Sequence, residues 1–152
     1  MSYFGEEIRC ALTEIGFIER YEEISKKYNR ERANSFSEIL EIKKEECIKL
    51  FREMGYSAKY YAKEKIYKIK YEKIDDLTFG IHLSVGAIIG EVEPIWVVED
   101  GAEMLLGEPW FDYSRRMIDV DYKIQYPIFA TLDDLKDILN YTFKMYEDFK
   151  DA

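Results

Sequence analysis

The chain reads as an α+β protein: N-terminal helices, then a mostly antiparallel sheet of about four to five strands, closed by a C-terminal helix, with the helices packed on one face. Three observations predict this. Apolar residues recur at helical period up to Met54, switch to period 2 from Lys59, and return to helical period after Thr131. Helices that flank a run of strands, rather than alternate with them, argue for an antiparallel sheet covered on one side.

Phe4, Ile8, Ala11, Leu12 and Ile15 form one apolar stripe, which Gly16 interrupts. Ile18, Tyr21, Ile24 and Tyr28 begin a second, so this segment is either one helix with a weak point or two helices. Asn29–Asn34 reads as a polar connector. Ser35 followed by Glu38 matches a capping box. Behind it, Phe36, Ile39, Leu40, Cys47, Leu50, Phe51 and Met54 predict a helix over about 36–54, with Gly55 as its C-terminal glycine cap.

Lys59–Lys73 interleaves six lysines with tyrosine and isoleucine. Tyr67, Ile69 and Tyr71 are expected on one face of a half-exposed strand, with Lys68, Lys70 and Glu72 on the other. Lysines there also discourage edge-to-edge aggregation. Leu77, Phe79, Ile81, Leu83 and Val85 alternate with Thr78, Gly80, His82, Ser84 and Gly86. That pattern buries the odd positions and leaves a flat face of small and polar groups. Asp100-Gly101 is a type I′ hairpin signal that pairs Ile95–Glu99 with Ala102–Leu106. Met117–Tyr126 alternates weakly as a last strand, stopped by Pro127. Thr131 caps the final helix, Asp133 and Asp134 suit its positive end, and Leu135, Ile138, Leu139, Thr142, Tyr146 and Phe149 line its inward side.

The 152 residues are expected to form a single domain, 1–152, large enough to bury a core without disulfides or metals. Two cysteines, Cys10 and Cys47, read as reduced, buried thiols. With one histidine, a zinc set is lacking. No apolar run reaches the about 18 residues of a membrane span. The opening "MSYFGEEIRC" lacks a signal peptide's basic region, so the expected compartment is the cytoplasm.

Chemistry is hard to find. His82 and Ser84 sit mid-strand rather than on the sharp turn of a nucleophile elbow. Gly80, Gly86 and Gly90 fit no dinucleotide or phosphate loop. Glu91 with Glu93, or Asp119 with Asp121, could form a carboxylate pair, but with 31 acids in the chain such pairs arise by accident. No catalytic residue, metal ligand or cofactor is therefore assigned. A small carboxylate enzyme, with or without a metal ion, stays as an alternative. So does a module that self-associates through Thr78, His82 and Ser84.

What stands out is acidity joined to aromatics. Residues 1–73 hold 16 Lys and Arg against 14 Asp and Glu, whereas residues 74–152 hold 6 against 17. Such a half repels nucleic acid and attracts basic partners. Within it, "GEVEPIW" (90–96) and "GEPWFDY" (107–113) each set carboxylates beside proline and tryptophan. Trp110, Phe111 and Tyr113 are the expected partner anchors. Glu91, Glu93, Glu99, Asp100, Glu103, Glu108 and Asp112 are expected to steer and pair with its Lys or Arg. Trp96, in an apolar run, is expected in the core.

"GAIIGEVEPIW", "GEPWFDY" and "YPIFATLDDLKDILNYTFKMYEDFK", spanning about residues 75–150, resemble the immunity proteins of bacterial toxin–immunity systems, including those of contact-dependent growth inhibition. The resemblance implies a non-catalytic inhibitor that binds a cognate basic toxin, such toxins often being nucleases, and covers its active site or blocks its partner surface. It carries over no binding residue.

Overall fold

A computed structural model of the chain describes residues 6–74, 76–86, 90–101, 103–119 and 121–151, with Lys70, Tyr71 and Arg116 as backbone only. Its elements run α1 (Glu6–Glu14), α2 (Phe17–Lys27), α3 (Arg30–Asn34), α4 (Lys44–Glu53), β1 (Lys59–Tyr61), β2 (Ile66–Ile74), β3 (Leu77–Val85), β4 (Val92–Asp100), β5 (Glu103–Leu106), α5 (Trp110–Met117) and α6 (Leu132–Asp151). The five strands form an antiparallel meander in the order β1-β2-β3-β4-β5. This is the expected α+β architecture, N-terminal helices first and the long helix last.

The helices meet one face of the sheet. From α2, the Phe17 ring lies edge-on to Trp96 of β4 at 5.6 Å. Phe51 of α4 packs edge-on against Tyr67 of β2 at 5.2 Å. Phe149 of α6 stacks on Trp96 at 4.9 Å. This inner face carries Phe79, Ile81, Leu83 and Val85, the odd positions of β3, all buried. Each large ring removed from water supplies hydrophobic stabilisation, and the edge-on pairings add to it.

The N-terminal segment is two helices. Gly16 sits between them with φ 67°, in the left-handed region where a side chain is strained. Phe4 lies outside the described residues. The expected connector at Asn29–Asn34 is instead the short helix α3, because the Asn29 side chain accepts from the Arg32 N–H at 2.7 Å and caps it.

The helix expected over 36–54 begins only at Lys44. Ser35 is taken up in ending α3: its N–H and its hydroxyl both donate to the Arg32 carbonyl. The Leu40 N–H then donates to the Ala130 carbonyl at 2.9 Å, holding the segment across the start of α6. A tertiary hydrogen bond thus overrides a helical stripe. The far end is as expected: Gly55 has φ 92°, and the Tyr56 N–H reaches back to the Phe51 carbonyl.

A bulge shifts the β2–β3 register between Lys68 and Lys70. The expected run of Tyr67, Ile69 and Tyr71 in one alternation is therefore broken: in the backbone ladder Tyr67 pairs with Leu83, Tyr71 with Gly80 and Glu72 with Phe79. Glu72 turns inward to pair with Lys150 of α6. The β4–β5 turn falls one residue later than expected, since Asp100 pairs with Glu103 and Gly101 takes φ 60°. Ala102 lies outside the described residues. The strand expected over Met117–Tyr126 is not formed: Met117 ends α5, and the described residues from 118 to 126 carry no strand. Cys47 is buried as expected, whereas Cys10 is exposed.

Asp134 pins the N-terminus of α6. Its side chain, 7% exposed, takes both Arg32 guanidinium nitrogens at 2.6 and 2.9 Å and the Ala130 N–H at 3.0 Å. The Thr131 hydroxyl accepts from the Asp134 N–H, as a helix cap should. Burial pushes the Asp134 carboxyl up, but the Arg32 and Ala130 hydrogen bonds outweigh it and hold it below the usual aspartate range. The stabilisation is therefore present above the unfolded-state pKa and is lost as pH falls through the lower folded value. Asp134→Ala should cost about 2–4 kcal/mol in urea unfolding at neutral pH, and the deficit should shrink in acid.

Candidate functional site

The site begins with an unfinished strand edge. β5 pairs with β4 only from Val98 to Asp100, leaving residues 91–97 of the β4 side without a neighbouring strand. Irregular segments complete that edge. The Val92 N–H donates to the Pro127 carbonyl, and the Phe129 N–H to the Gly90 carbonyl. Glu91 bridges to Ile128 and Ile95 to Pro109. The Tyr113 hydroxyl accepts from the Trp96 N–H at 3.2 Å and donates to the Trp96 carbonyl at 2.8 Å, standing in for a partner strand.

Pro94 fits this arrangement. The Val92 and Trp96 N–H groups both point to this edge, so the residue midway between them would aim its own N–H outward. Proline has none to leave bare, which is why it is tolerated on a strand edge. Gly90 is needed for a different reason. Its φ is 78°, and a Cβ there would lie 2.8 Å from the Phe129 carbonyl oxygen and 2.9 Å from the Ile128 side chain.

Glu93 lies between the two bridges. Glu91, Asp112 and Tyr126 bear on it electrostatically. Tyr126 accepts from the Phe111 N–H at 3.3 Å and donates to Glu93. Behind Tyr126, the ring of Tyr21 stacks at 6.2 Å, and its hydroxyl is anchored on the Ile124 carbonyl at 2.8 Å. Burial pushes Glu93 up, and the negative charges of Glu91 and Asp112 push it further, against the Tyr126 hydrogen bond. Burial also raises Glu91, with Arg30 opposing. Burial and Glu93 raise Tyr126, so it stays a protonated donor.

The expected site residues separate into four groups. Trp110 and Tyr113 are fully buried and are no surface anchors. Trp110 packs edge-on against Phe17, Tyr21 and Trp96, and Tyr113 spends its hydroxyl on β4. Phe111, Glu108 and Asp112 are half-buried, with the Phe111 ring 6.3 Å from Tyr126. Glu91 and Glu93 are half-buried on the β4 edge. Glu99, Asp100 and Glu103 lie at the β4–β5 turn, six or more residues along from Glu93, or about 20 Å. The acidic groups therefore form two sites rather than one rim. Trp96 is fully buried, as its apolar run predicts.

Tyr21, Arg30 and Tyr126 join the cluster without a sequence signal, since each comes from a different segment. Elsewhere, burial and then the Lys68 charge press His82 down to about 4, so it is neutral at pH 7. Burial lifts the Cys47 thiol to about 12, keeping it protonated. Among the described residues, no group of three or more His, Cys, Asp or Glu is placed to hold a metal ion, and no helix is long and apolar enough to cross a membrane.

A carboxyl whose pKa is raised by folding stabilises the fold most below its unfolded pKa and loses that contribution as pH rises through the folded value. Glu93 is in that position. Glu93→Gln should therefore raise the melting temperature at pH 7, and the gain should vanish below the ordinary glutamate range. Tyr113→Phe should cost about 1–3 kcal/mol in chemical unfolding, because it leaves the Trp96 N–H and carbonyl on a buried edge unpaired.

Compared with protein-family models, curated proteins and solved structures, the chain matches none.

Proposed function

We propose that this protein is a non-catalytic binding protein that captures a basic protein partner, and that it acts as an immunity protein neutralising a cognate toxin domain. One observation carries the reading. Glu93 is held half-buried on the β4 edge, where burial first and then the charges of Glu91 and Asp112 raise its pKa. A Lys or Arg from a partner would relieve that repulsion and lower the pKa of the cluster. Such pairing becomes stronger as the partner excludes water. Phe111, half-buried against Tyr126, supplies an aromatic neighbour to the cluster. The turn with Glu99, Asp100 and Glu103 steers the encounter from a distance.

The test is calorimetry of the full chain against basic toxin domains, beginning with the product of the neighbouring gene. Tight 1:1 binding that weakens with salt and with acid supports the reading. Glu93→Gln and Asp112→Asn should each weaken it by about tenfold, or about 1.4 kcal/mol. Absence of any such partner, together with no protection of toxin-expressing cells, would sink it. Binding indifferent to both substitutions would move the interface elsewhere.

A further inference from the structure

The sheet face turned away from the helices is electrically divided. The described ring contacts between helices and sheet fall on Tyr67, Phe79 and Trp96, all inner positions. On the outer face, the β1 and β2 side presents Lys59, Lys68 and Lys73, with no carboxylate among its described side chains. The β4 side presents Glu93 and Glu99, with no cation. Between them β3 contributes Thr78, Gly80, His82 and Ser84, uncharged at neutral pH. Gly80 and Ser84 sit low between their neighbours, while Thr78, His82 and Ile95 are half-exposed.

The ladder fixes which groups share a row. Lys73, Thr78 and Glu99 are aligned across β2, β3 and β4, and Lys68, His82 and Ile95 form a second row. A two-fold axis running along β3, between two facing sheets, exchanges the β2 side of one copy with the β4 side of the other and keeps the rows level. Lys73 then lies over the partner's Glu99, and the partner's Lys73 over Glu99. The contact is self-complementary, as a two-fold interface must be. Thr78, Gly80 and Ser84 along the axis are small, with His82 the one larger side chain between them, so the sheets can approach to the about 10 Å of aligned packing.

The geometry points to this outer face as a docking surface for a second copy of the same chain, held face to face by reciprocal Lys73–Glu99 pairs. The nine-residue strands β2, β3 and β4 are about 30 Å long and the five-stranded sheet is about 20 Å across, so with β1 and β5 shorter each copy offers roughly 600 Å² at most. A standard interface uses about 800 Å² per partner, so the dimer belongs to the weak class and depends on salt. This face shares Glu93 with the toxin-binding cluster and Glu99 with the steering turn, but the reciprocal pair is tested by reversals at Lys73 and Glu99 that leave Glu91, Glu93 and Asp112 unchanged.

Sedimentation velocity of the full chain from about 10 μM to about 1 mM, in low and in about 0.5 M salt, tests it. The wild-type chain should dimerise with concentration, less so in salt. Lys73→Glu and Glu99→Lys should each weaken the dimer at least tenfold, by setting like charges opposite. The double variant Lys73→Glu/Glu99→Lys should restore it to within about threefold. Thermal melts confirm that all variants are folded. A wild-type chain that is monomeric throughout overturns the proposal, as does a dimer indifferent to the single reversals or a folded double variant that fails to recover.

Discussion

Trp96 and the edge of the strand that carries it are what the rest of the structure depends on. Its indole is fully buried, and rings from α2, α5 and α6 converge on it through Phe17, Trp110, Tyr113, Tyr146 and Phe149. Yet β4 is a strand whose neighbour, β5, reaches only part of its length. Unpaired backbone on a buried edge is costly. The chain resolves this by bringing residues 107–113 and 124–129 alongside, through Pro109, the Tyr113 hydroxyl, Pro127 and Phe129. The same packing that buries the tryptophan therefore requires the two segments that flank Glu93.

The acidic cluster follows from that closure. Asp112 arrives because α5 must place Trp110 and Tyr113 inward, and Tyr126 arrives because the segment before α6 must reach Val92 and Gly90. Carboxylates that could have pointed freely into water are instead drawn together at a half-buried edge. Folding alone gives no reason to favour this, since burial and mutual repulsion raise Glu93. Groups kept where they work against the fold are frequently groups kept for binding, and the acidic surplus around Glu93 is what the proposed basic partner would meet.

Much of this was legible where the period was strong and long. β3 alternates over nine residues and α6 presents an apolar side over twenty, and both form as read. The failures lie where one long-range contact decides. Nothing local reveals that the Leu40 N–H will bond to Ala130 and unwind an apparent helix. A single bulge at Lys68–Lys70 shifts the register by one and turns Glu72 inward, which alternation alone does not show. "GEPWFDY" is too short to display a period, so Trp110 and Tyr113 read as surface anchors when they complete the core. The carboxylates of the cluster were visible as an acidic half, but not their division into two places. Tyr126, a lone tyrosine before a proline, gave no sign of its partner.

The account rests on the claim that Glu93 is held at a raised pKa by burial and by its acidic neighbours, ready for a cation. Carbon-13 NMR titration of the glutamate side-chain carboxyls reads this directly. The account predicts that Glu93 titrates above the ordinary glutamate range in the free protein, and that Asp112→Asn moves it back toward that range. A Glu93 that titrates at or below the ordinary range, unmoved by Asp112→Asn, would contradict it.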